Sequence, residues 1–144
     1  MLPSVRAQGW RFWAESDRMR RVLVVDDSAT VRQQVGLTLK QGGYEVIEAH
    51  DGLEAVQKIL ADNKIVMVIC DVNMPRMDGL DFLAAFRADK RCATVPVVML
   101  TTEAHSDLVA RSKALGAKGW IIKPFKADLL AAAARRLVAA KAAA

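Results

Sequence analysis

The chain has 144 residues, an apolar fraction of 53% and a formal net charge of +5. That length suits one compact domain and excludes two of ordinary size. No apolar run reaches the ~20 residues that a membrane helix needs, the longest strand-like runs being VLVV, IVMVIC and VVML. Charges at Arg6, Arg11, Glu15 and Asp17 interrupt the apolar centre of any signal peptide, so the cytoplasm is the expected compartment. The basic excess is local: residues 1–21 carry five Arg against Glu15 and Asp17, a net +3, and the remainder carries only +2. With no helix-turn-helix or similar module after the main domain, no nucleic-acid partner is expected. Two cysteines are too few for a disulfide framework or a zinc site. Cys70 ends an apolar run and reads as a small core residue, whereas Cys92 lies in a charged, loop-like stretch and receives no role.

Residues 1–20 lack clean periodicity and crowd Trp10, Phe12 and Trp13 together. They read as a flexible extension rather than a docking arm, with Met19 an alternative start. Residues 21–144 form the expected domain. Its first strand is 22–25, followed by Asp26-Asp27-Ser28, where Asp27 or Ser28 can cap a helix. That helix places Val31, Val35 and Leu39 on one face and stops at Gln41-Gly42-Gly43. A second strand at 44–49 leads through Asp51-Gly52 into a helix with Leu53, Val56, Ile59 and Leu60 on its apolar face. The uninterrupted apolar run 65–70 reads as a central strand covered on both sides, ending at Asp71. Pro75 breaks regular structure, and Asp78-Gly79 opens a helix that turns Phe82, Leu83 and Phe86 inward. A fourth strand at 95–100 ends at Thr101; a weaker helix at 104–115 has Gly116 as its stop. A short strand at 120–122 precedes Lys123-Pro124, and the last helix, from 126, spaces Leu130, Ala133, Leu137 and Ala140 for one face.

Five strands alternating with five helices predict a doubly wound parallel α/β sheet, which binds ligands beyond the carboxyl ends of its strands. Asp26, Asp27, Asp71, Thr101 and Lys123 all end strands and so converge on that edge. Taken singly, each has an ordinary explanation as a cap, a turn residue or a solvated charge. Together they put three carboxylates at one place, and such a cluster repels itself unless cations compensate. Lys123 supplies one positive charge, and all-oxygen donors select a hard divalent cation such as Mg²⁺ for the rest. Cation, ammonium and the Thr101 hydroxyl would surround one spot beside Asp71 and stabilise a transferring phosphoryl group. Asp71 would then be the nucleophile that forms an acyl phosphate.

The segments VLVVDDS, DVNMPRMDGL, VPVVMLTTEA and GAKGWIIKPF resemble the receiver domain of two-component response regulators, in order and spacing, over about residues 21–138. The resemblance implies a flavodoxin-like five-stranded sheet in the order 2-1-3-4-5. It implies that Asp71 is the phosphoacceptor, and that Asp27, Asp71 and the Asn73 backbone carbonyl bind Mg²⁺ directly, with Asp26 acting through water. It further implies that Lys123 pairs with the phosphoryl group, that the Lys123-Pro124 bond is cis, and that Thr101 is the switch hydroxyl. Trp120 stands where the family usually has Tyr or Phe as a ring that moves on activation. An indole is larger, so packing in place is an equal alternative for Trp120. Asn73 and Glu103 fall where members tune the phosphoryl lifetime. Such a chain is a phosphoacceptor that assists its own phosphorylation and dephosphorylation, not an enzyme acting on a separate substrate. The implied partners are a sensor histidine kinase of chemosensory type, a flagellar motor switch protein and a phosphatase, met by a monomer. A relay intermediate or phosphate sink is the alternative within the family. A haloacid-dehalogenase-like phosphatase fits poorly, because Asp71 is followed by Val72-Asn73 without a second Asp. A flavodoxin-like cofactor module fits worse, since DDSATV offers no phosphate-binding loop.

Overall fold

A computed structural model of the chain describes residues 20–102 and 105–143, with side chains to 139. Residues 1–19 of the expected 1–20 extension, Glu103, and the side chain of Ala140 lie outside the described residues. Strands β1 (Arg21–Val25), β2 (Glu45–Ala49), β3 (Ile65–Asp71), β4 (Val97–Thr101) and β5 (Gly119–Ile122) alternate with helices α1 (Ala29–Gln41), α2 (Gly52–Ala61), α3 (Gly79–Ala88), α4 (Ser106–Ala114) and α5 (Ala127–Ala143). All four strand pairings are parallel, in the order β2-β1-β3-β4-β5. This is the doubly wound sheet that the alternation of elements predicts. Among the described residues no helix is long and apolar enough to cross a membrane.

The run at β3 has no polar residue before Asp71 because both of its faces are covered. Val68 and Cys70 join one core with Phe82, Leu83 and Phe86 of α3 and Ala55 and Ile59 of α2. Met67 and Ile69 join the other with Val35 and Leu39 of α1 and Leu130, Ala134 and Val138 of α5. Each large apolar side chain fully buried in this way contributes about 1.5–3 kcal/mol.

Two helix faces differ from expectation. In α2, Leu53 and Leu60 are exposed, at 41% and 44%, while Gly52, Ala55 and Ile59 are buried. At 100° per residue Leu53 and Leu60 share a stripe of their own, rotated away from the Ala55–Ile59 stripe that meets the sheet. In α5 the buried line is Leu130, Ala134 and Val138, with Ala133 and Leu137 only half-buried beside it. Small alanines on neighbouring stripes hid that offset from a reading of hydrophobic spacing. The caps are local. Ser28, not Asp27, caps α1, accepting from Val31 N–H, and Asp51 and Asp78 cap α2 and α3. Gly116, at φ 94°, follows α4 in the left-handed turn suited to glycine.

Arg87, at the end of α3, staples three segments without a carboxylate. Its guanidinium lies over the Phe86 ring and donates to the carbonyls of Cys92 (3.1 Å), Val95 (2.9 Å) and Gly116 (3.0 Å). Cys92, expected in a loop, ends a short 3₁₀ turn (Lys90–Cys92) and is buried beneath this contact. Burial pushes the Arg87 pKa down, yet leaves it a cation, so its hydrogen bonds are charge-assisted. Replacing it by Met keeps the stem and removes the side-chain donor from the Val95 and Gly116 carbonyls, while Cys92 O still accepts from Val95 N–H. Arg87→Met is therefore expected to cost about 2–4 kcal/mol, read as a lower urea midpoint at unchanged slope. A midpoint equal to wild type would show that water replaces the guanidinium without loss.

Candidate functional site

Strand register builds the site. Val25 pairs with Cys70, so the next residues, Asp26 and Asp71, emerge side by side at the ends of β1 and β3. Asp71 pairs with Leu100, and Thr101 pairs with Ile122, which steps Thr101 and Lys123 along the same edge. Main-chain bonds lock these steps: Val72 N–H donates to Leu100 O (3.2 Å), and Lys123 N–H to Thr101 O (2.7 Å). The Lys123-Pro124 bond is cis.

Asp26, Asp71 and Thr101 are buried at the bottom of the resulting cleft, while Asp27 faces solvent. The Lys123 ammonium reaches both buried carboxylates, 2.8 Å from Asp26 Oδ2 and 3.2 Å from Asp71 Oδ1. Asp26 Oδ1 accepts from Ser28 N–H at 2.9 Å. Its Oδ2 lacks a well-directed hydrogen bond among the described residues and depends on the ammonium nearby. Burial alone would lower the Lys123 pKa, but Asp26 and Asp71 outweigh it and hold the ammonium above its usual range. Burial first, and the Asp26 charge second, push the Asp71 carboxyl up to about 6. The Cys70 thiol, wholly buried beside these groups, is pushed well above its usual range and is a neutral donor to Asp71 O at 3.3 Å.

Carboxylate oxygens of Asp26, Asp27 and Asp71 lie within 4.8 Å of one another. Three carboxylates against one ammonium leave an excess of negative charge, and every acidic donor is oxygen. The donor set therefore fits a hard divalent cation. Asn73, two residues past Asp71, is exposed on the loop that follows β3. Trp120 is half-buried on β5 opposite Met99, and its indole N–H is buried with no partner among the described residues.

Two features of the site were not legible from residue types. Gly79 allows α3 to begin against the end of β3: a Cβ there would sit 2.2 Å from the Asp71 carbonyl oxygen and 2.9 Å from Val72 Cα. Arg76, in the same loop, pairs with the buried Asp51 across the cleft rim. The Asp51-Gly52 dipeptide signalled a helix start, but nothing local signalled a partner 25 residues away.

Known proteins carry the same arrangement of elements. Residues 22–135 match the model of the response regulator receiver domain. The chemotaxis protein CheY1 of Helicobacter pylori is 41% identical over 111 residues, covering 76% of this chain and 90% of that protein. The transcriptional regulatory protein PdtaR of Mycobacterium tuberculosis is 45% identical over 116 residues, 78% of this chain but 54% of that longer protein. Among solved structures, the chemotaxis protein CheY4 of Vibrio cholerae superposes with a TM-score of 0.78 at 42% identity, covering 83% of this chain and 98% of that one. A family match spanning most of the chain, on a sheet that gathers these acidic residues and a lysine at one edge, establishes that the chain belongs to the response regulator receiver domain family.

Proposed function

We propose that the chain is a phosphorylation switch in which Asp71 accepts a phosphoryl group from a histidine kinase. The observation that carries this reading is a buried Asp71 carboxylate, 3.2 Å from the Lys123 ammonium and within 4.8 Å of two further carboxylates. Asp27, Asp71 and the Asn73 carbonyl would hold Mg²⁺ directly, with Asp26 reaching it through water. When bound, Mg²⁺ supplies positive charge to the phosphoryl oxygens as they transfer. The remaining work falls to the chain's own residues. An Asp71 oxygen forms the new bond to phosphorus as the phosphohistidine P–N bond breaks, its electron pair leaving on the imidazole. Lys123 stays beside Asp71 and pairs with the arriving negative charge. Thr101 would turn its hydroxyl toward the phosphoryl group, and Trp120, on the adjacent strand, would report that movement at the surface. Glu103 and Asn73 would modulate the lifetime of the acyl phosphate.

The output is read as a protein contact at α4, β5 and α5. Between β5 and α5, Trp120, Leu129, Arg136 and Leu137 line an open groove of about 530 Å³, where Leu129 is exposed. The chemotaxis names of the Helicobacter and Vibrio relatives favour a chemosensory kinase and a flagellar motor switch protein as partners, in the cytoplasm. A second reading, a relay intermediate or phosphate sink, is favoured by the comparable identity to a transcriptional regulatory protein. Affinity for a motor switch protein that rises on phosphorylation separates the two.

Incubation with acetyl phosphate and Mg²⁺ is expected to add one phosphoryl group to the wild type by intact mass, and none to Asp71→Ala or without Mg²⁺. A folded wild type that stays unmodified, also with a phosphorylated kinase domain, would sink the proposal.

The raised Asp71 pKa makes a separate prediction for the metal-free protein. The folded state keeps this proton to about pH 6, whereas the ordinary carboxyl loses it near 3.8. More protons are then bound in the folded state between those values, so the group's contribution to stability falls as pH rises from about 4 to about 6 and stays lost above. Asp71→Asn cannot ionise. In chelator its stability should gain on the wild type across that window, by about 1–3 kcal/mol at neutral pH, as measured by urea unfolding. A difference independent of pH would show that Asp71 titrates normally.

A further inference from the structure

The loop between β3 and α3 is an excursion with a pinched base. Gly79 N–H donates to Val72 O at 2.8 Å, and the Gly79 Cα is packed against the Asp71 carbonyl, so the loop leaves and returns at one place. Its far side is held by a different element. Arg76 donates through Nε to Asp51 Oδ2 at 2.8 Å and through Nη2 to the same oxygen. Met77, next in sequence, packs so closely over Gly52 that a Cβ there would lie 2.7 Å from Met77 Cγ. Charge and packing thus dock residues 76–77 onto residues 51–52.

Asp51 is built to make this contact. It is 2% exposed, and its two oxygens divide the work. Oδ1 accepts from Glu54 N–H at 2.9 Å and caps α2, while Oδ2 holds the guanidinium. His50 Nδ1 lies 3.2 Å from Oδ2 and 3.6 Å from Glu54 Oε1. Burial acts to raise the Asp51 carboxyl, but the Glu54 N–H, Arg76 and His50 outweigh it and keep it below the usual range. Arg76 itself adopts φ 65°, a left-handed conformation that a residue with a Cβ rarely takes. Backbone of this kind persists where the surroundings over-determine it, and it gathers at functional sites.

We propose that Arg76, clamped by Asp51, is a positioning residue for the metal site: the pair fixes the β3–α3 loop, and with it the Asn73 carbonyl, where the main chain can reach the cation. The inference rests on the proposed Mg²⁺ chemistry, and extends it to two residues that touch neither the cation nor the phosphoryl group. A carbonyl ligand on a loop free at its far side pays ordering entropy each time the ion binds; the clamp removes that cost in advance.

The test is calorimetric titration of Mg²⁺ into the full chain, as wild type, Arg76→Gln, Arg76→Lys, Asp51→Asn and the double variant Asp51→Asn/Arg76→Gln. Arg76 has a side chain 57% exposed, so Arg76→Gln should remain folded, as its urea midpoint will show. Each single loss of charge is expected to weaken Mg²⁺ binding on the order of 10-fold. The double variant should lose no more than the worse single, because both remove one interaction. Arg76→Lys should recover part of the loss as a point charge without the fork. A folded Arg76→Gln that binds Mg²⁺ within about twofold of wild type, or single losses that multiply in the double, would overturn the clamp alone. A wild type that binds no Mg²⁺, no better than an Asp27→Asn control, would overturn the proposed function and the clamp together.

Discussion

One ammonium shared between two buried carboxylates is the constraint around which this molecule is arranged. Lys123 cannot satisfy Asp26 and Asp71 equally, sitting 2.8 Å from one and 3.2 Å from the other. The carboxylate nearer the ammonium is also the one with a second donor, Ser28 N–H. Asp71 receives less, and burial first, then the Asp26 charge, raise its carboxyl to about 6 against the opposing pull of Lys123. A buried acid held in that state gains from any added positive charge, whether a proton or a cation. The site is thus poised to bind cations by the same imbalance that makes it costly to keep empty of them.

Keeping such a cluster together requires a rigid frame, and the parallel sheet supplies it. Asp26, Asp71, Thr101 and Lys123 stand on or just beyond the ends of four adjacent strands, so their spacing is inherited from strand separation and register rather than from loop conformation. The frame also separates two neighbouring acids by role. Asp26 is buried and paired, while Asp27, one residue on, turns to solvent where it can meet an incoming ion. The acids at the helix starts do different work again: Asp51 and Asp78 spend an oxygen each on capping α2 and α3. Only Asp51 has a second oxygen committed to a distant loop.

What could be seen in the sequence divides along the same line. The strands and the edge they share were legible because apolar runs such as 65–70 are long, and a polar residue at the end of each is conspicuous. The identity of the α1 cap was a matter of geometry, since Asp27 and Ser28 are both good caps and only the backbone decides between them. The apolar face of α2 is not legible from hydropathy because Leu53 and Leu60 are more hydrophobic than Gly52 and Ala55, yet Gly52 lies under Met77 and Ala55 joins Ile59 in the core. The Arg76–Asp51 pair and the Arg87 staple join positions far apart in sequence or pair a cation with carbonyls, and neither leaves a local pattern of residue types.

Trp120 shows how the edge could speak to the surface. Lys123 is bound through its main chain to Thr101, and Trp120 lies three residues before it, on β5. Thr101 is fully buried, so an indole moving toward it must find room that a smaller ring would not need. Against that stands the indole N–H, buried without a partner among the described residues. A buried donor left unpaired costs about 1–3 kcal/mol, so no hydrogen bond within the described structure favours the present orientation over another. Among the described residues the ring is held by packing, on a strand at the edge of the sheet.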